Sequence, residues 1–338
     1  MQRKYNICVI GATGSVGSQM LKILVERKFP FAKIHALASD RSESTVLKVA
    51  GLELKLGKIM NFDFKDVDIV FLATESEVSR DIVNHIKSVG NCFIIDNSSY
   101  FRIKKDVPLV IPEVNPEALD NIKKTCVISN PNCSTIQMVM ALKPIHDLFE
   151  IKRVIVSTYQ AVSGIGKSGE DELKSQIFSC AKDKDSISKV FSRQILCNVI
   201  PQIDIFVDDG STKEEQKMLQ ETKKILDQNV LVHANCARVG VANAHSEYVN
   251  IETVRPLDLN KAKEAIRSFP GVKLEDDNRR YQTAIDISGR DEVFVSRLRH
   301  DYTSNNSLSF WCVADNLRKG AALNAVQIAE TIISKALL

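Results

Sequence analysis

No stretch of the 338 residues approaches the ~18 consecutive apolar positions that a membrane span requires. Charge of one sign is lacking too. Forty-five Lys and Arg against 42 Asp and Glu leave +3, too even a balance to announce nucleic acid or a membrane surface as partner. The eight cysteines, at 8, 92, 126, 133, 180, 197, 236 and 312, form no C-x-x-C pair and no His/Cys cluster with zinc spacing, so a structural metal has no support. The start is basic, but the apolar residues 7–10 are too few for a signal core and run straight into glycines. Without a signal peptide, a disulfide framework is out of place in a chain this long. Reduced thiols and a cytoplasmic setting are expected. Internal repeats and low-complexity tracts are absent as well.

What is present is ordinary globular composition, with 44% hydrophobic and 26% charged residues, and a length that divides into two domains at about 150 residues each. Over 1–131 short β-rich runs (6–10, 33–38, 68–73, 92–96, 109–111, 125–129) alternate with helical spacing at 15–26 and 78–89. That alternation predicts an α/β fold, a Rossmann-type parallel sheet with helices on its faces. Beyond a helix at 135–149, strands dominate residues 132–315 with helices near 212–227 and 258–269. This predicts a second α+β domain with a mostly antiparallel sheet. A helix within 316–338 is expected to pack back on the first domain. The charged stretch 167–189 carries no motif and reads as a solvated helix or loop.

Two motifs carry chemistry. Gly11-Ala12-Thr13-Gly14-Ser15-Val16-Gly17 follows a strand and opens a helix, the arrangement in which glycines admit a pyrophosphate and the helix N-terminus binds it. Where the second strand ends, Ser39, Arg41 and Ser42 favour the 2′-phosphate of NADP, while Asp40 is the kind of residue that would hold the free ribose of NAD. Further on, Asn130-Pro131-Asn132-Cys133-Ser134-Thr135 joins a strand to an apolar helix, which sets Cys133 at a helix N-terminus. The dipole there favours the thiolate, a nucleophile, and the free N–H groups suit an oxyanion. A nucleotide cradle with an activated cysteine points to aldehyde oxidation, or its reverse, through a thioester. Of the six histidines, His245 is best placed as the base, because it opens a strand behind a loop that starts at Arg238.

At this level the chain resembles the aspartate-β-semialdehyde dehydrogenases of the bacterial homodimeric type, along essentially its whole length. The resemblance rests on Gly11 to Gly17, Asn97-Ser-Ser-Tyr-Phe-Arg102, Ile111-Pro-Glu-Val-Asn115 and Asn130 to Thr135. It continues through Ser157-Thr-Tyr-Gln-Ala-Val-Ser-Gly164, Glu214-Glu-Gln-Lys217, Arg238 with His245, and Asp315-Asn316 followed by Lys319-Gly-Ala-Ala322. It implies NADP-dependent interconversion of L-aspartyl 4-phosphate with L-aspartate 4-semialdehyde and phosphate, in the making of lysine or diaminopimelate, threonine and methionine. It also implies a homodimer built by the second domain.

By the same resemblance Cys133 is the acyl-thioester nucleophile, His245 the proton acceptor, and Gln160 orients the thioester or substrate. Arg238 binds the α-carboxylate, Glu214 faces the α-ammonium, and Arg102 with Lys217 binds phosphate. Ser163, Gly164 and Asn316 touch the nicotinamide half. From spacing alone Glu214 and Lys217 read as an i,i+3 surface pair and Arg102 as part of a basic turn. Arg318 stands where the family commonly has an apolar residue. The rival readings are N-acetyl-γ-glutamyl-phosphate reductase, glyceraldehyde-3-phosphate dehydrogenase and a non-catalytic nucleotide-binding relative. The first has Gly and Tyr around its cysteine where this chain has Asn132 and Ser134. The second places its histidine close behind the cysteine, and the third would lack nucleophile or base.

Overall fold

The computed structural model describes residues 3–38, 45–120, 122, 126–185 and 187–338. The chain divides into two compact units, Met1–Pro131 with Ala321–Leu338, and Asn132–Gly320. No helix among the described residues is long and apolar enough to cross a membrane.

The first unit is built on β1 (Tyr5–Ile10), α1 (Ser15–Glu26), β2 (Phe31–Ala38), β3 (Val46–Val49), β4 (Leu52–Lys58), β5 (Ile69–Leu72), α2 (Ser76–Val89), β6 (Phe93–Asp96) and β7 (Val127–Ser129). Its sheet runs in the order β3-β4-β2-β1-β5-β6-β7 and is parallel except for the β3–β4 hairpin. Both faces of the central strands are covered, which is why they read as unbroken apolar runs. Val9, Phe71 and Ile95 pack under α1 and the C-terminal helix Leu323–Ser334. Their neighbours Cys8, Val70 and Ile94 pack under α2 through Ile82, Val83 and Ile86.

Two features differ from the sequence expectation. The hairpin β3–β4 lies in a stretch given no strand above, although Leu52, Leu54 and Leu56 of β4 alternate with Glu53 and Lys55 as a half-buried strand does. The run 109–111 is no strand; Leu109 makes only an isolated bridge to Ser129. Here the Asn115 side chain does the work of a ladder neighbour, accepting from Ile111 N and donating to Leu109 O, both at 2.9 Å.

The second unit holds α3 (Cys133–Phe149), β8 (Ile151–Gln160), α4 (Lys167–Cys180), β9 (Val199–Ile200), α5 (Lys213–Ile225), β10 (Leu231–Val239), β11 (His245–Thr253), α6 (Leu259–Ser268), β12 (Val272–Leu274), α7 (Ala284–Ile287), β13 (Val293–His300) and β14 (Ser307–Ala314). The sheet order is β12-β13-β14-β11-β8-β10-β9, antiparallel except at β12–β13 and β8–β10. Helix α3 is apolar nearly all round because it lies buried across this sheet, with Met138, Val139, Leu142 and Ile145 inaccessible to solvent. The stretch 167–189 contains a regular helix, α4, whose Glu172 and Gln176 are buried.

Candidate active site

In the first unit β1 feeds directly into the glycine loop. Gly11 has φ 79°, and a Cβ there would lie 2.2 Å from the carbonyl oxygen of Ala73. A Cβ on Gly17 would lie 2.2 Å from the carbonyl of Gly11. Only glycine fits these two positions, and the turn is closed by Gly14 N donating to Gly11 O at 3.0 Å. Helix α1 starts at Gly14 with no side-chain cap, which leaves its first amides for a ligand. Thr13 and Gly14 are exposed beside them, with Ser15 and Val16 half-buried. These features fit a dinucleotide pyrophosphate. The candidate 2′-phosphate residues Ser39, Arg41 and Ser42, and Asp40 with them, lie outside the described residues.

Arg102 belongs to the same unit and is no member of a solvated turn. It is buried, and its Nη2 donates to the carbonyl of Asn97 at 2.9 Å. Asn97 Oδ1 in turn accepts from Asn130 at 2.6 Å.

In the second unit Cys133 is the first residue of α3 and partly accessible. Asn132 caps the helix, its Oδ1 accepting from Ser134 N at 3.0 Å and Thr135 N at 3.2 Å. Its own backbone N–H goes to Glu221 Oε2 at 2.6 Å, and its side-chain amide to Glu214 Oε1 at 2.8 Å. Gly320 fits tightly against Cys133, since a Cβ there would come within 2.9 Å of Cys133 Cβ. The other cysteines in strand-like runs (Cys8, Cys236, Cys312, and Cys92 at a strand edge) are buried, and desolvation pushes their thiols up, Cys92 to about 12.

Glu214 is almost fully buried at the start of α5. It accepts from Asn132, from Gln160 Nε2 at 3.2 Å and from Lys217 Nζ at 3.2 Å. Burial opposes its ionisation, yet Lys217, these donors and Arg238 outweigh burial and hold its carboxyl at about 2. Glu214 and Lys217 are therefore not a solvated surface pair, and Lys217 also meets Asp204 at 2.8 Å. Arg238, at the end of β10, is buried, and its Nη1 donates to the carbonyl of Ala161 at 2.8 Å. Burial draws its guanidinium pKa down, and the Glu214 and Cys133 charges draw it back up.

His245 opens β11 with no exposed surface. Its Nδ1 accepts from Ala161 N at 3.0 Å, which leaves the proton of the neutral ring on Nε2. Nε2 itself is buried with no hydrogen-bond partner among the described residues. Burial, then the neighbouring Arg238 charge, lowers the imidazole to about 3 and keeps it neutral.

The three residues read as nicotinamide contacts form one network. Ser163 Oγ donates to Asn316 Oδ1 at 3.0 Å, and Asn316 Oδ1 also accepts from Ala244 N at 2.9 Å. Ala244, just before His245, has φ 74°, so the histidine is delivered by a left-handed turn. Gly164 lies against both the Arg238 guanidinium and the neutral His245 ring: a Cβ there would be 2.7 Å from Arg238 Nη1 and 3.2 Å from His245 Nε2. Arg318 leaves Asn316 undisturbed and pairs with Asp291 at 2.5 Å. Gln137, one turn after Cys133, escaped the sequence reading; its Nε2 donates to His245 O at 3.3 Å and ties α3 to the start of β11. Glu221 escaped as well, and Gly320 figured only inside the Lys319 to Ala322 segment without a role, because both act by contact with residues distant in sequence.

Comparison with known proteins agrees with this chemistry. The family model described as semialdehyde dehydrogenase, NAD binding domain, matches residues 6–122, and the model described as semialdehyde dehydrogenase, dimerisation domain, matches residues 142–319. The chain is 44% identical over 335 residues to the aspartate-semialdehyde dehydrogenase of Shewanella violacea, covering 98% of this chain and 99% of that one. It is 46% identical over 340 residues to that of Aquifex aeolicus, covering 99% of each. Among solved structures, aspartate semialdehyde dehydrogenase II of Vibrio cholerae complexed with ASA matches with a TM-score of 0.94 at 42% identity, over 98% of this chain and 99% of that one. The Candida albicans enzyme with NADP matches with a TM-score of 0.79 at 25% identity, over 99% and 100%. With two family models spanning most of its length and full-length relatives above 40% identity, this chain belongs to the aspartate-semialdehyde dehydrogenase family.

Proposed function

We propose that the protein interconverts L-aspartyl 4-phosphate and L-aspartate 4-semialdehyde plus orthophosphate, with NADP, through a thioester on Cys133. The observation that carries this reading is the charge arrangement beside the thiol. Glu214, ionised, and Arg238, a planar cation, share one buried site next to the start of α3. One suits an α-ammonium and the other an α-carboxylate, so the site is complementary to an amino-acid zwitterion whose side chain points at sulfur.

In the oxidative direction the Cys133 sulfur adds to the aldehyde carbon, and the proton that the thiol gives up passes to the carbonyl oxygen, which becomes the hydroxyl of a thiohemiacetal. Bound NADP supplies the acceptor for the hydride that leaves this carbon. His245 takes the hydroxyl proton. To accept it at Nε2 the ring must carry its resting proton on Nδ1, which means giving up the Ala161 amide. Proton transfer and the loss of that hydrogen bond are therefore coupled. Gln160, on the rigid end of β8, steadies Glu214 and orients the substrate. Phosphate, held by Arg102 and Lys217, then attacks the thioester carbon. The C–S bond breaks and the thiolate returns to the helix N-terminus. Ser163, Gly164 and Asn316 serve the nicotinamide half of NADP, and Gly11, Thr13, Gly14, Ser15 and Val16 its pyrophosphate.

The test is to mix the protein with aspartate semialdehyde, NADP and phosphate and follow the near-ultraviolet absorbance of the reduced cofactor. A phosphate-dependent rise is expected. No rise with aspartate semialdehyde, or an equal rise without phosphate, would sink the reading. A cytoplasmic homodimer is part of the same proposal. Tyr159, Tyr248 and Trp311 form a ring cluster on the second unit's sheet, on the opposite side from α3, with Tyr159 38% exposed. Such a face is suited to a second copy.

A further inference from the structure

The stretch that carries no motif in the sequence ends at a cavity. This space of about 630 Å³ in the second unit is lined on one side by Asp204, Glu214, Lys217 and Arg238, and on the other by the loop residues Lys189 and Phe191. Two buried side chains of α4 hold that loop. The Glu172 carboxylate accepts the backbone N–H groups of Lys189 at 2.8 Å, Val190 at 2.6 Å and Phe191 at 3.3 Å. Gln176 Oε1 accepts those of Ile195 and Leu196, both at 3.0 Å, and its amide donates back to Glu172 at 3.3 Å. Around these bonds lies a small separate core of Val162, Leu173, Phe191, Ile195 and Ile200. The backbone of an exposed loop is thus fixed by groups that are themselves almost wholly buried.

Charge gives this loop a role. Among the lining cations, Lys217 is committed to Asp204 and Glu214, and Arg238 is tied to the Ala161 carbonyl. Lys189 is exposed and in no ion pair among the described residues. Three lining cations against two carboxylates leave the cavity one positive charge in excess. The two co-substrates of the proposed oxidation differ in the property that such a charge reads. Aspartate semialdehyde is a zwitterion without net charge, whereas inorganic phosphate is an anion carrying one to two negative charges near neutral pH.

We propose that Lys189 is a specificity-determining residue that draws inorganic phosphate to this cavity, and that Glu172 and Gln176 are the positioning residues that keep it there. This rests on the phosphate-dependent reaction above. A cation at the mouth of a site acts on capture and on its salt dependence more than on the chemical step.

The experiment is steady-state kinetics at low and raised ionic strength, together with calorimetric titration of inorganic phosphate into the same proteins. Lys189→Glu should raise the KM for phosphate about tenfold at low ionic strength and flatten its salt dependence. Its kcat and its KM for semialdehyde should stay within twofold of the parent, and Lys189→Arg should behave as the parent. Glu172→Gln, which sets an N–H donor against the loop amides, should raise the phosphate KM about threefold with the semialdehyde KM unmoved. An unchanged phosphate KM and phosphate affinity in Lys189→Glu, or equal rises in both KM values, would overturn the assignment. Phosphate binding that Lys189→Glu weakens, in a protein that does not oxidise aspartate semialdehyde, would support the anion site and refute the reaction instead.

Discussion

The side-chain amide of Asn132 donates to Glu214 Oε1 at 2.8 Å while its oxygen caps α3. One residue thus joins the start of the nucleophile's helix to the carboxylate proposed to face the substrate ammonium. Replacing it tests both links. Asn132→Ala should cost about 1–2 kcal/mol through the lost cap and the donor withdrawn from Glu214. Asn132→Asp keeps a capping oxygen but sets a third carboxylate beside Glu214 and Glu221, so it should lose more activity than Asn132→Ala for a smaller loss of cap. Urea unfolding and kcat/KM, measured on both variants, read the two effects separately.

Cys133→Ala should abolish turnover and leave NADP affinity nearly unchanged, because thiol and glycine cradle are separate parts of the chain. Alkylation mapped by mass spectrometry gives a second readout. Cys180 and Cys197 are exposed and will react too. Saturating aspartate semialdehyde should protect Cys133 and leave those two as reactive as before.

Stability should fall as the pH is lowered from about 6.5. In the fold His245 stays neutral down to about 3, through burial and then the Arg238 charge, whereas in the unfolded chain it gains a proton near its ordinary value of 6.5. A depressed native value means that the unfolded state binds the proton first, so the stabilising contribution is complete above 6.5 and lost on the way to 3. Glu214, held at about 2 against an ordinary value of 4.5, adds a further loss in the lower part of that range. Denaturant midpoints at a series of pH values check this. His245→Gln should flatten the upper part of the decline, and a wild-type curve level between pH 6.5 and 5 would contradict it.

The two arginines separate two anions. Arg238→Lys keeps the charge but not the planar fork, and should cost roughly 2–4 kcal/mol in kcat/KM for semialdehyde and acyl phosphate alike. Arg102→Leu should raise the KM for phosphate strongly and leave that for semialdehyde within a few-fold. Varying each substrate in turn decides between this assignment and its exchange.

Gly164→Ala should be severe in activity and also lower stability, because the side chains it crowds are buried. The added methyl would sit 2.7 Å from Arg238 Nη1, and the guanidinium end is the part free to yield. Moving it loses the Ala161 contact and turns the fork away from the carboxylate. A fall of ten- to a hundredfold in kcat/KM is expected, with a thermal midpoint lowered by the lost Arg238–Ala161 hydrogen bond.

The parts legible in the sequence are those whose causes are local. Asn130 to Thr135 contains a strand breaker, a cap and a helix start within six positions, so the location of Cys133 follows from neighbours alone. The glycine loop is legible for the same reason. Glu172 and Gln176 are not, because in a run of charged residues they look solvated, and the amides that bury them lie 17 to 20 residues away. The run 109–111 misleads because Asn115, a loop residue by type, takes over the strand partner's hydrogen bonds. Residue spacing also hides tautomers: nothing near His245 in sequence reveals that the Ala161 amide occupies Nδ1.

The left-handed turn at Ala244 has a dynamic consequence. An L-residue with a Cβ pays about 1–2 kcal/mol for that conformation, and here the turn persists because Asn316 accepts its N–H at 2.9 Å. Releasing one hydrogen bond also releases the backbone strain, so the peptide preceding the active-site imidazole has an unusually inexpensive route to open. In deuterium exchange the Ala244 amide should lose protection through a local fluctuation, well ahead of the β11 amides beyond Tyr248 that exchange only when the sheet comes apart. A cofactor bound at Asn316 should slow that exchange selectively.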